Sequence, residues 1–312
     1  KEMQLPEYCN ISPELADYRP EYSQSDRPVR EQNAAEGHAV RAVYLYSAMA
    51  ELAYEYQDQE LMDACVRIWN NMVKKQMYIT GGIGSSGILE RFTTDYDLPN
   101  DCNYSESCAS IGLAMFGIRM ADITRDAFYI DTVERALYNT VLAGAALDGR
   151  SFFYVNPLEV WPDNCMERTS REHVKPIRQK WYGVACCPPN IARALASLGQ
   201  YVYGAGENDL YVNLFISNQA EINLGKEEAL VTMETKFPFE NKIHIAVEKV
   251  PADGMKLAVR IPEYARDYQI MSADGRAAYK EEKGYAVMML KEDAEIEISF
   301  DAPARFIRAN PN

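Results

Sequence analysis

Residues 33–56 read NAAEGHAVRAVYLYSAMAELAYEY, a run whose apolar side chains fall on nearly every face of a 3.6-residue period. A helix with such a surface has to be surrounded by other helices, since a single apolar stripe suffices for one lying on a surface. Further helical patterns follow over residues 58–77, 106–121 and 126–145, with Thr124 or Asp126 placed to cap the last. Behind Pro188 and Pro189, the residues Ile191, Ala194, Leu195, Leu198, Tyr201 and Val202 keep a helical spacing up to Gly204. Two long irregular stretches, residues 78–105 and 152–187, separate these helices, and structureless segments of that length tend to carry function. From about Glu207 the period drops to two: DLYVNLFIS (209–217), KIHIAVEKV (242–250), MKLAVRIP (255–262) and EIEISF (295–300) alternate apolar with polar residues. In the second of these, Ile243, Ile245 and Val247 face a core while Lys242, His244 and Glu248 face water. Turn chemistry at residues 252–254 and 273–275 joins such strands into a β-sandwich. The reading is therefore a helical region over residues 1–205 and an antiparallel β-sandwich over residues 206–312.

The chain has 312 residues, 47% of them hydrophobic, and a formal charge of −14. That balance leaves no basic stripe for phosphates, which argues against nucleic acid and anionic membrane and in favour of a neutral or cationic small molecule or a sugar. No apolar run approaches the roughly 18–20 residues a bilayer span needs. The chain starts at Lys1 rather than Met and stops just after a strand pattern, which reads as a fragment. Its seven cysteines are an odd number in a chain too large to need disulfide staples, so reduced thiols or metal ligands are expected, and with them a cytoplasmic setting.

The chemistry concentrates in two places. Cys186 and Cys187 precede Pro188 at the mouth of a helix, where free N–H groups and the helix dipole favour thiolate. Two adjacent buried hydrophobes are the plainer alternative. Glu106 and Cys108 stand two apart in CNYSESCASIG (102–112) and share one face if that entry segment is extended. Glu106, Cys108, Cys186 and Cys187 together offer one carboxylate and three thiolates, a set suited to tetrahedral Zn²⁺. Asp95 and Asp97 read as loop-ordering residues, with an inverting base as the alternative, and Gly81, Gly82 and Gly84 as turn formers, since no Lys-Ser/Thr pair follows them as in a phosphate loop. His173 and His244 carry no constellation and are expected at the surface.

Four motifs in order, EGHAVRAVYLY (36–46), YITGGIGSSGILERFTTDYDLPNDCNYSESCASIGL (78–113), FFYVNPLE (152–159) and CCPPNIAR (186–193), resemble the β-L-arabinofuranosidases of glycoside hydrolase family 127. The resemblance implies the second half of an (α/α)₆ barrel followed by most of a sandwich. It implies Cys186 as nucleophile, Glu90 as general acid/base, a zinc site of Glu106, Cys108, Cys186 and Cys187, and sugar contacts from His38, Tyr154 and Glu106. A core histidine and a core aromatic are the alternatives for His38 and Tyr154. The sequence departs from the family at Leu89 and Arg91, which flank Glu90 where Gly and a small residue are usual. The implied function is retaining release of β-linked L-arabinofuranose or a related sugar from an arabinose-containing oligosaccharide or glycoconjugate. A carbohydrate-binding or scaffold protein with a closed structural zinc site is the competing reading. With half the barrel removed, the apolar helix of residues 33–56 is left with an open face, so residues 1–312 alone are expected to self-associate and to be inactive.

Overall fold

A computed structural model describes residues 20–184, 186–308 and 310; Cys9 and the two chain ends lie outside them. The chain divides into two compact units, Lys1–Arg119 with Arg135–Ala192, and Met120–Glu134 with Arg193–Pro311. Among the described residues no helix is long and apolar enough to cross a membrane.

The first unit is helical. Helices α1 (Ala39–Glu55) and α2 (Gln59–Lys75) are joined by a short turn in which Asp58 caps α2, its side chain accepting from the Leu61 N–H at 3.0 Å. The expectation of a helix from residue 33 is corrected here: α1 starts at Ala39, because Gly37 takes φ +71° and a Cβ there would lie 2.2 Å from the Glu21 carbonyl oxygen. Helix α3 (Ser107–Thr124) is apolar all round, and its Ile111, Leu113 and Phe116 are at most 1% exposed. Phe116 meets Trp69 of α2 at 5.2 Å and Tyr46 of α1 at 5.9 Å between ring centroids, which fixes the three-helix core. At Gly112 a Cβ would lie 2.4 Å from Val43 Cγ2 of α1, so α1 and α3 meet backbone to side chain at that point. Gly112→Leu is expected to lower unfolding free energy by about 1–3 kcal/mol, read as a lower urea midpoint.

Helix α4 (Ala127–Ala136) begins with Asp126 accepting from the Phe128 N–H at 3.0 Å. The single helix expected over residues 126–145 is instead interrupted: a π-turn over Leu137–Val141 leads into the short α5 (Leu142–Gly144). Gly81, at φ +81°, lies so close that a Cβ would come 2.6 Å from Ala136 Cα, and Thr140 Oγ1 donates to the Thr80 carbonyl at 3.0 Å. Gly81 and Gly84 take left-handed φ, as the turn reading held, and at Gly81 the turn is also a packing contact. Helix α6 (Cys187–Ala196) and the brief α7 (Gly199–Val202) replace the one continuous helix expected behind the prolines.

The second unit holds two sheets, β1-β2-β6-β10-β9 and β3-β4-β5-β11-β7-β8. Their ranges are β1 Tyr203–Ala205, β2 Asp209–Val212, β3 Asn218–Leu224, β4 Glu227–Thr235, β5 Lys242–Glu248, β6 Met255–Arg260, β7 Arg266–Ser272, β8 Gly275–Arg276, β9 Lys280–Glu282, β10 Tyr285–Leu290 and β11 Ala294–Asp301. One shared core joins Leu210, Leu257 and Met288 of the first sheet to Val231, Ile245 and Ile296 of the second. Ile243, Ile245 and Val247 are fully buried, as their alternation required. The expectation of a purely antiparallel sandwich is corrected at one pair, since β2 runs parallel to β6 in the register Leu210↔Leu257. The chain leaves the first sheet after β2, builds three strands of the second, and returns alongside, so a crossover rather than a hairpin joins the two. Arg260, at the end of β6, is 0% exposed; it donates to Asp131 Oδ1 at 2.6 Å, to Glu134 and to the Asn213 carbonyl at 2.7 Å.

Candidate active site

Segments far apart in the chain build the site in the first unit. Glu106 makes an isolated antiparallel bridge with Val155, and α3 begins one residue later. Glu106 is therefore extended and Cys108 helical, rather than both extended as the spacing suggested. The same bridge aligns Tyr154, whose carbonyl accepts from the Ser107 N–H at 3.0 Å. Cys186 precedes α6 and Cys187 is its first residue, with both prolines in the first turn, where no N–H is missed.

The ligand atoms of Glu106, Cys108, Cys186 and Cys187 all lie within 4.8 Å of one another. Cys108 Sγ stands 3.6 Å from Cys186 Sγ and 3.5 Å from Cys187 Sγ, and the adjacent pair are 3.9 Å apart. Glu106 Oε1 is 3.2 Å from Cys186 Sγ and 3.5 Å from Cys187 Sγ. Cys186 is exposed, whereas Cys187 is 0% and Cys108 2% exposed.

These four groups compete for negative charge. Donation from Cys108, then from Cys187 and Tyr154, holds the Cys186 thiol well below its ordinary value. Acting as donors raises the other two thiols, Cys108 chiefly through Cys186 and Cys187 chiefly through Cys108, with burial adding to both. Burial, reinforced by the Cys186 charge, pushes the Glu106 carboxyl up to about 9. Glu106 Oε2 is buried with no hydrogen-bond partner, an acceptor aimed at nothing present. A metal ion fits this set, because Glu106 Oε1 and the three sulfurs converge on one point and a cation there would let the sulfurs deprotonate together.

Glu90 lies in a 3₁₀ turn, Ile88–Glu90, that rises from the long loop. Leu89 and Glu90 both adopt left-handed backbone, at φ 58° and φ 52°, which costs an L-residue on the order of 1–2 kcal/mol each. The departure at Leu89 is thus a strained one, since glycine would take that φ freely. Paired hydrogen bonds between Ser86 and Arg91 close the turn, 3.2 Å in each direction. His38 Nε2 approaches Glu90 Oε2 at 3.0 Å, and the Tyr104 hydroxyl donates to Glu90 Oε1 at 2.9 Å. Burial acts most strongly and raises the Glu90 carboxyl, but the hydrogen bonds with His38, Tyr104 and Glu106 and the attraction of His38 together leave the group below its ordinary value. His38 is the residue before α1 and Tyr154 is 5% exposed, its hydroxyl 2.9 Å from Cys186 Sγ.

All the residues singled out from the sequence as site members, His38, Glu90, Glu106, Cys108, Tyr154, Cys186 and Cys187, are thus joined by contacts through Tyr104 and the sulfurs. Asp95 is elsewhere, accepting from Lys75 at 2.7 Å and Asn71 at 2.8 Å. His173 is a correction: it is half-buried rather than a surface residue, its Nε2 3.1 Å from the Cys102 carbonyl and its ring 5.6 Å from that of Tyr104. Tyr104 itself went unread, although period-two alternation from Glu106 places it on the same side of the extended segment.

Comparison with known proteins gives one consistent result. The family model for the β-L-arabinofuranosidase GH127 catalytic domain matches residues 5–200, and that for the GH127 middle domain matches residues 209–303. The non-reducing end β-L-arabinofuranosidase of Bifidobacterium longum subsp. longum is 38% identical over 310 residues, covering 96% of this chain and 46% of that protein. The crystal structure of a GH127 β-L-arabinofuranosidase from Geobacillus stearothermophilus T6 superposes with a TM-score of 0.90 at 43% identity, over 95% of this chain and 47% of that one. Another GH127 β-arabinofuranosidase structure gives 0.84 at 36% identity, with 95% and 48% coverage. The chain spans about half the length of these relatives.

Proposed function

Because the chain belongs to the glycoside hydrolase family 127 β-L-arabinofuranosidases, we propose that the protein containing it is a retaining glycosidase that releases β-linked L-arabinofuranose from an arabinose-bearing oligosaccharide or glycoconjugate. The observation that carries this reading is the division of labour among the thiols: of the three residues Cys186 alone is exposed, and the Tyr154 hydroxyl lies 2.9 Å from its sulfur. A closed structural metal site has no use for an exposed cysteine, and the scaffold reading also leaves the strained Glu90 turn unexplained.

Glu106, Cys108, Cys186 and Cys187 hold Zn²⁺ in this proposal. The three sulfur–sulfur separations, 3.5, 3.6 and 3.9 Å, would let one ion be shared among them. When bound, the ion supplies the positive charge that keeps Cys186 deprotonated at neutral pH. Cys186 Sγ then attacks the anomeric carbon while Glu90 gives a proton to the departing oxygen. Water, deprotonated by Glu90, next attacks from the face the leaving group vacated and expels the Cys186 thiolate, so two inversions retain the configuration. The acid role needs Glu90 protonated, against the hydrogen bonds that lower its pKa. A bound sugar favours this by excluding water, since burial is already the strongest influence on that carboxyl. His38, Tyr154 and the free edge of Glu106 are the proposed sugar contacts.

Glu90→Gln in the full-length protein tests the assignment. With alkyl or sugar leaving groups kcat is expected to fall by about 10²–10⁴-fold, and with a strongly acidic aryl leaving group the bond-breaking step is expected to be spared. Equal losses on both substrate types would contradict an acid role.

A further inference from the structure

The hydroxyls of two tyrosines end on the two proposed reactive groups. Tyr104 donates to Glu90 Oε1 and Tyr154 lies against Cys186 Sγ, each at 2.9 Å, and their rings meet edge to face at 6.1 Å and 68°. Tyr104 is 8% and Tyr154 5% exposed, so neither has room to swing away. Behind Tyr104, the His173 ring supports its other side at 5.6 Å. The same imidazole fills the space above Gly87, where a Cβ would come 2.8 Å from it, three residues before Glu90 in the same loop. His173 is anchored in turn to the Cys102 carbonyl.

Resting on the function proposed above, we infer that Tyr104 is a positioning residue that acts through Glu90, and that the Tyr104–Tyr154 ring pair is the spacer that sets the acid/base against the thiolate. Retaining chemistry needs its two reactive groups at a set separation across the sugar ring. A loop carrying two left-handed residues cannot hold such a separation by itself, because its strained turn gains by relaxing. The Tyr104 hydroxyl fixes one carboxyl oxygen, leaving Oε2 and its His38 partner on the other side. The edge-to-face contact then transmits the position of the segment carrying Tyr154 to the loop carrying Glu90. Tyr104 touches neither the sugar nor the Cys186 thiolate; its effect passes through the glutamate.

The test is a double-mutant cycle in the full-length metal-loaded protein. Tyr104→Phe keeps the ring and deletes only the hydroxyl, so melting temperature and zinc content are expected to match the parent. On substrates with poor leaving groups kcat should fall by about 10- to 100-fold with KM little changed, the size of one lost hydrogen bond to a charged group. In a Glu90→Gln background the same substitution should cost less than about threefold, because its route of action is already gone. Tyr104→Leu, which removes the spacer as well, should extend the loss to activated aryl substrates. An unchanged kcat in Tyr104→Phe, or equal fold-losses in both backgrounds, would overturn the inference. If the parent is active and Glu90→Gln is impaired while Tyr104→Phe behaves so, only the positioning role fails; an active Cys186→Ser protein would instead remove the functional reading beneath it.

Discussion

Cys186→Ser is expected to lower turnover of the full-length protein by about 10⁴-fold or more, the scale on which loss of a nucleophile acts. A serine hydroxyl next to a cation remains largely protonated at neutral pH, whereas the thiol at that position is already drawn toward thiolate by Cys108, Cys187 and Tyr154. Cys187→Ala provides the contrast. That sulfur is fully buried and cannot reach a sugar, so its removal should cost bound metal, and activity only in proportion to the metal lost. Zinc content measured beside turnover separates the two roles. Activity retained in Cys186→Ser would place the nucleophile elsewhere.

The second large effect is on stability. Arg260→Leu is expected to lower the unfolding free energy by about 3–5 kcal/mol, because it strands two carboxylates around a site with no exposure. Arg260 meets Asp131 and Glu134 directly, and Tyr264, which donates to Glu134 at 2.7 Å, is a neutral hydroxyl that cannot replace the lost cation. Replacing Arg260, Asp131 and Glu134 together with apolar residues of similar volume should recover most of the loss. The pH dependence follows from Asp131, whose carboxyl burial raises from 3.8 to about 6 despite the arginine. A folded-state pKa above the unfolded one means that this group's contribution is complete below about pH 4 and is lost as the pH rises through about 6. Without Arg260 the carboxyl rises further, so the deficit of Arg260→Leu against the parent should be larger at about pH 8 than at about pH 5. Chemical denaturation at both values measures it, and a deficit independent of pH would contradict the pairing.

The change of period near Glu207 made the two architectures legible, because burial of Ile243, Ile245 and Val247 is a direct consequence of alternation. The parallel β2–β6 pair was not legible in the same way: alternation records which face a residue takes and says nothing about the direction of its neighbour. Helix starts failed where a backbone conformation decided them, as at Gly37, whose left-handed φ breaks an otherwise continuous apolar run. In the site, local chemistry raised Cys186–Cys187 and Glu106–Cys108 separately, but some eighty residues divide the pairs and only the resemblance joined them. Glu90 was found the same way; its left-handed turn leaves no local mark, and Leu89 argues against it by propensity. Tyr104 and His173 escaped because each acts by supporting another residue, and a support has no motif of its own.

Trapping the covalent intermediate tests the central claim most directly. A full-length Glu90→Ala protein loaded with zinc and given an arabinofuranoside with an acidic aryl leaving group can still form the glycosyl-enzyme but cannot readily hydrolyse it. Peptide mass spectrometry should then find one arabinosyl unit attached at Cys186 and none at Cys187, Cys108 or Glu106. An arabinosyl unit on any of those other residues, or turnover to product of inverted configuration with no adduct formed, would contradict the account.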